Sequence, residues 1–125
     1  MTNMKQVLER RKHKRFHVQD GTFAVLGSRY GKIGRVIDMS MGGLGFSYIV
    51  GEEQGDDSHR LSILLAEDSF HLTRIAFKTV WDTEAKEVPF STVAMRRCGV
   101  EFGDLTEYQI SQLEYFLENH TVGGA

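Results

Sequence analysis

The chain lacks most of what would staple a small domain or anchor it elsewhere. It has one cysteine, Cys98, in 125 residues, which excludes an internal disulfide and a cysteine-built metal site. A lone thiol fits a reducing compartment. It has one proline, Pro89, which with its charged neighbours marks residues 82–92 as a loop or long hairpin tip. No apolar run approaches the ~20 residues of a membrane-spanning helix. The first residues are polar and charged, unlike a signal peptide, so a cytoplasmic protein is expected. Repeats, low-complexity segments and a second domain are also missing. A single domain of this length buries enough apolar surface to fold without disulfides or metal.

Catalytic constellations are absent too. No glycine-rich phosphate loop precedes a Lys-Ser/Thr pair, and Ser40 has an acid two residues away but no histidine that the sequence brings to it. Asp56, Asp57 and His59 sit in the acidic loop 51–60, but their spacing matches no calcium loop, and the loop reads as solvated. The expectation is binding without turnover, with no metal and no cofactor.

What is present is asymmetric charge. The net charge of −2 conceals six basic residues and one acidic residue in positions 1–17, a balance of +5, against −7 over the remainder. A nucleic-acid domain usually spreads cationic charge over a face and has a high pI. A cationic arm on an acidic body suits a compact anion held at one place.

The arm reads Glu9-Arg10-Arg11-Lys12-His13-Lys14-Arg15-Phe16. Arg11 and Arg15, four apart, offer two planar forks that bind phosphate bidentately, stack on flat rings or contact the O6/N7 edge of guanine. A second segment, Asp38-Met39-Ser40-Met41-Gly42-Gly43, closes a strand. Asp38 is an acceptor able to take protons from the N1 and N2 edge of guanine, and Ser40 donates or accepts. Gly42 and Gly43 allow positive φ and close approach of a ligand to the backbone. Taken singly, the arm reads as a solvated tail or polyanion patch, and the turn as side chains capping their own backbone.

Taken together and in this order, the two segments resemble the PilZ domain family. That family carries Arg-x-x-x-Arg near its start and Asp/Asn-x-Ser-x-x-Gly about two strands later; here the matching positions are Arg11, Arg15, Asp38, Ser40 and Gly43. The resemblance extends over nearly the whole chain, through Val80-Trp81 and Cys98-Gly99-Val100-Glu101-Phe102 to a closing helix. It implies a mainly β fold, a six-stranded antiparallel β-barrel with a C-terminal α-helix. It also implies a bacterial receptor for cyclic di-GMP, in which Arg11 and Arg15 hold phosphates and guanine faces, Asp38 and Ser40 read a guanine edge, and Gly43 shapes the turn. Arg10 occupies the place where a third arginine in this family accompanies two intercalated ligand molecules rather than one; the alternative is that it only adds attraction, and stoichiometry stays open. Gly42 is a ligand-approach position or part of the turn geometry.

Along the chain, residues 1–15 form the arm, residues 16–120 the barrel and helix, and residues 121–125 a frayed tail. Phe16 and Val18 lead into the first strand. Thr22–Leu26, Lys32–Asp38 and Leu44–Tyr48 read as strands, with a bulge or close packing foreseen at Gly34. Leu61–Leu65 and Phe70–Thr73 flank a turn. Ile75, Phe77, Thr79 and Trp81 alternate on one face of a further strand. The last strand runs from Val93 to Phe102, with an interruption foreseen at Arg96-Arg97. Thr106 and Gln109 form a capping box, and Ile110, Leu113, Phe116 and Leu117 make the buried stripe of the final helix. Trp81 is read as a core or rim residue, with a base-stacking role as the lesser alternative.

With no effector domain fused, the signal has to pass to another, unidentified protein, and the arm is expected to wrap the ligand and present a changed surface. No membrane partner is expected. Three rival readings remain: a small barrel that binds RNA or single-stranded DNA through the arm, a PilZ-type protein adaptor without ligand, and a receptor for another cyclic guanine dinucleotide. A nucleic-acid reader would interleave aromatics with its basic residues, and the arm offers only Phe16.

Overall fold

Period-two alternation of apolar and polar residues gives most of this chain its strands. The computed structural model describes residues 13–27, 32–49, 60–66, 70–84 and 95–125. Arg10 and Arg11, the loop 28–31, the acidic loop 51–59 and the region around Pro89 lie outside the described residues. The elements are β1 (Phe16–Val18), β2 (Thr22–Leu26), β3 (Lys32–Met39), β4 (Gly43–Ile49), β5 (Arg60–Leu65), β6 (Phe70–Glu84), β7 (Met95–Phe102), α1 (Glu107–Asn119) and β8 (Thr121–Gly124).

Strands β2, β5, β6, β7, β4 and β3 follow one another as antiparallel neighbours, and β3 pairs back onto β2. The result is a closed six-stranded barrel, which leaves none of its six strands an open edge. β3 achieves closure by dividing its length: its first residues pair with β2, and Asp38 and Met39 pair with β1. β8 then adds to the other side of β1. Inside the barrel Met39, Phe46, Leu61, Ile63, Leu65, Leu72, Ile75 and Cys98 are fully buried. Cys98 is a small core residue, as its apolar neighbours suggest.

The helix joins this core through Leu113 and Phe116, both fully buried. The Phe116 ring lies 5.1 Å from that of Phe70 at the start of β6. The capping box is present: Thr106 Oγ1 accepts from Gln109 N, and Gln109 Oε1 accepts from Thr106 N, both at 3.0 Å. The buried stripe differs from the expected one. Ile110 is exposed and Gln109 is buried instead. Its Nε2 donates to Thr73 O and Arg74 O, each at 3.1 Å. Those carbonyls are free to accept because β6 is distorted there: Arg74 has φ +59° and the pairing with β5 slips a residue. A polar side chain that satisfies them displaces an apolar one from the interface.

Other expectations are corrected by register. Phe70–Thr73 and Ile75–Trp81 are one bent strand that continues to Glu84. β7 is unbroken at Arg96-Arg97 because Arg96 turns inward at the barrel mouth. There its Nε donates to Asp82 Oδ1 at 2.8 Å while Tyr48 Oη donates to Asp82 Oδ2 at 2.6 Å. Donating this hydrogen bond to the Asp82 carboxylate raises the already high pKa of the Arg96 guanidinium. Gly34 is a site of close packing against the Phe46 ring and Ser47 backbone, and the bulge lies further on, between Val36 and Asp38. Residues 121–124, expected to fray, form β8.

Candidate functional site

Two β-bulges decide which side chains meet on the outer surface of the barrel. Val36 pairs with Phe46 and Asp38 with Gly45, so Ile37 is an extra residue on β3. Without it Asp38 would share the inward face of Val36. On the neighbouring pair, Thr79 is opposite Val100 and Trp81 opposite Gly99, so Val80 is the extra residue on β6. That bulge turns Trp81 outward, against the expected single face for Ile75, Phe77, Thr79 and Trp81. An inserted residue reverses strand alternation beyond it, and bulges recur beside functional sites for this reason. The two bulges bring Trp81, Gly99, Gly45, Asp38 and His17 into one transverse outer row, since Gly45 also pairs with Gly99 and His17 with Asp38.

The glycines in this row make it shallow. A Cβ at Gly99 would overlap the Trp81 indole, so the ring lies flat across that backbone. At Gly45 a Cβ would lie 3.0 Å from Asp38 Oδ1, which leans over it. Trp81 remains 39% exposed, so one face of a large aromatic stays available.

Above this row opens a cleft of about 770 Å³, lined by His13, Arg15, Ser40, Met41, Gly42 and Gly43 on one side and by Val80, Trp81, Gly99 and residues 100–103 with Leu105 on the other. That volume falls in the range of about 300–1,000 Å³ typical of small-ligand sites. Of the sequence candidates, Arg15, Ser40, Gly42 and Gly43 line the cleft directly. Asp38 sits at its margin, joined to it by Arg15: Arg15 Nη1 lies 3.7 Å from Asp38 Oδ1. Asp38 Oδ1 is shielded from solvent and accepts no hydrogen bond among the described residues. A buried acceptor left unmatched costs about 1–3 kcal/mol, so a donor supplied from outside is favoured there.

The turn uses its serine locally. Gly42 N donates to Ser40 Oγ at 3.0 Å, and Ser40 N donates to Gly43 O at 2.8 Å. Neither Gly42 nor Gly43 has positive φ, contrary to the backbone freedom foreseen for them. Both serve close approach: Gly42 leaves room for His13, whose Cδ2 would lie 2.7 Å from a Cβ there, and Gly43 lies against the Val100 carbonyl. His13 thus packs on the turn, a role its place between the arginines did not reveal. Glu101 adds a second carboxylate to the cleft, 3.8 Å from Lys78, with both side chains more than half exposed. Such an exposed pair contributes little and leaves Glu101 free to meet a ligand.

Among the described residues no cluster of three metal-ligating side chains occurs, and no helix is long and apolar enough to cross a membrane.

Comparison with known proteins agrees with this fold. The family model of the PilZ domain matches residues 9–119. Two solved structures from Escherichia coli share the fold. One is YcgR in complex with c-di-GMP, with TM-score 0.62 and 15% identity over 87% of this chain and 45% of that one. The other is the PilZ domain of YcgR with c-di-GMP, with TM-score 0.60 and 14% identity over 87% of this chain and 90% of that one. The chain therefore spans less than half the length of the first structure. No curated protein matches the chain.

Proposed function

Because the chain belongs to the PilZ domain family, we propose that it is a receptor for cyclic di-GMP that binds without turnover. The observation that carries this reading is the placement of Arg15 within 3.7 Å of Asp38 beside an open cleft. The sequence pairs these residues only by motif, across 22 intervening positions, and the barrel brings them together. A guanidinium fork that can take a phosphate or lie on a base adjoins a carboxylate oxygen without a donor, the complement of a guanine N1–H and N2–H edge. Trp81 offers a flat apolar face, and stacking of a base on an aromatic ring is worth about 1–3 kcal/mol. Ser40 holds the turn, and Gly42 and Gly43 keep its backbone close to the ligand. Arg11 supplies the second fork and Arg10 a third cation that admits a second, stacked ligand molecule. The ligand-bound arm presents a new surface to a partner protein in the cytoplasm.

Isothermal titration with cyclic di-GMP tests the reading. The chain is expected to bind with one or two ligands per protein. Arg15→Ala removes a charge-assisted contact worth about 1.5–3 kcal/mol, so affinity should fall roughly ten- to hundredfold. Absence of binding heat, or an Arg15→Ala variant of unchanged affinity, overturns it. Titration with cyclic GMP-AMP in parallel separates cyclic di-GMP from other guanine dinucleotides.

A further inference from the structure

We infer that the C-terminal segment Thr121–Ala125 is a positioning element for Arg15, and that its presence sets the affinity of the site. The inference rests on the receptor reading above.

Arg15 lies just beyond the reach of the barrel itself. The β1–β3 ladder ends at Phe16 opposite Met39. At the next position the chain of β3 has turned away, since Ser40 N already bonds Gly43 O. β8 continues where β3 stops. It pairs Gly124 with Phe16 and Gly123 with His17, and Ala125 N then donates to Arg15 O at 3.0 Å. Among the described residues this is the backbone hydrogen bond that holds Arg15. The Lys14 side chain follows the same strand: its Cε would lie 3.7 Å from a Cβ at Gly124, and its Nζ sits 5.3 Å from the centre of the Phe16 ring.

β8 is itself firmly rooted. Thr121 Oγ1 donates to Leu117 O at 2.9 Å. His120, buried among Phe70, Tyr115 and Phe116, places its Nδ1 3.2 Å from Gln19 Oε1, and its carbonyl accepts from Gln19 N at 2.9 Å. These bonds tie the end of α1 to the residue that follows β1. Residues 122–125 are exposed and add little to the core. Their ladder is therefore best explained by what it holds, the backbone from which the Arg15 fork reaches Asp38. Fixing that backbone before the ligand arrives reduces the ordering cost of binding.

The test compares three chains by titration with cyclic di-GMP and by thermal unfolding: the full sequence, a chain ending at Val122, and Gly124→Ala, whose added methyl meets only the flexible Lys14 stem. The shortened chain should bind roughly tenfold more weakly, the scale of one charged side chain left to be ordered on binding. Its thermal midpoint should stay within a few degrees, and Gly124→Ala should bind like the full sequence. If the shortened chain is unstable, Ala125→Pro removes the N–H that donates to Arg15 O and should show the same loss. Equal affinity of the full chain and whichever shortened or Ala125→Pro variant folds overturns the inference while leaving the receptor reading intact. A full chain that does not bind overturns the receptor reading and the inference with it.

Discussion

The indole of Trp81 shows how one side chain acquires a role through its neighbour. Aromatic character alone does not say whether a tryptophan on a strand points into a barrel or out of it. Its place over Gly99 depends on the missing Cβ of that glycine, and Gly99 pairs with Trp81 only because Val80 is bulged out. Gly99→Ala should push the ring from the barrel wall and narrow the cleft. Weakened cyclic di-GMP binding, on the order of tenfold if one stacking contact is lost, is the expected outcome. Trp81 is the one tryptophan of the chain, so its emission reports both the displacement and the ligand without a label. An unchanged emission maximum in Gly99→Ala would show that the ring does not depend on this contact. Asp38 is a comparable case: its carboxylate gains meaning from the guanidinium beside it, and neither residue is buried deeply enough to be a core ion pair.

At the scale of elements, bulges and edges do the positioning. The bulge of β3 at Ile37 and that of β6 at Val80 each reverse the strand's faces, and each reversal delivers a side chain to the same outer row. The helix is located by a similar irregularity. Gln109 fastens α1 to the distorted turn of β6 at Arg74 and closes the capping box as well. Gln109→Ala would leave two carbonyls and the Thr106 N–H unmatched. The expected loss is about 1–3 kcal/mol, measurable as a lowered urea midpoint with an unchanged denaturant slope. Because Gln109 lies outside the cleft, ligand affinity of the folded variant should not change. Ile110, which its spacing assigns to the buried stripe, is exposed because the stripe turns on the polar anchor.

For the whole molecule, the division between a cationic arm and an acidic body predicts how binding responds to salt. A compact dinucleotide carries two phosphates and no condensed counterion atmosphere, so raising salt from 50 to 200 mM should weaken it by roughly tenfold or less. A protein that reads a polymer through six to ten phosphates loses about a thousandfold or more over that range. Measuring both slopes, with cyclic di-GMP and with a single-stranded oligonucleotide, separates the receptor from a nucleic-acid barrel; a steep oligonucleotide slope with no dinucleotide binding would favour the latter. Much of the fold was legible in the sequence. The strands Thr22–Leu26 and Leu61–Leu65, the buried Cys98 and the Thr106 cap rest on alternation, composition and local hydrogen bonding, which act over a few residues. The pairing of Arg15 with Asp38 was legible as motif. The flat row of Trp81 and Gly99, the packing of His13 on Gly42 and the β8 strand beside Arg15 were not, because each depends on register between strands distant in the chain. By itself the sequence determined most of the strands, the capped helix and the chemistry on offer near Arg15 and Asp38, since these follow from residue type and local spacing; the closed barrel was implied only by the resemblance to the PilZ family. Only the tertiary structure decided which of those groups face the same solvent, because an extra residue in a strand reverses its faces and its effect is seen only against the strand it pairs with.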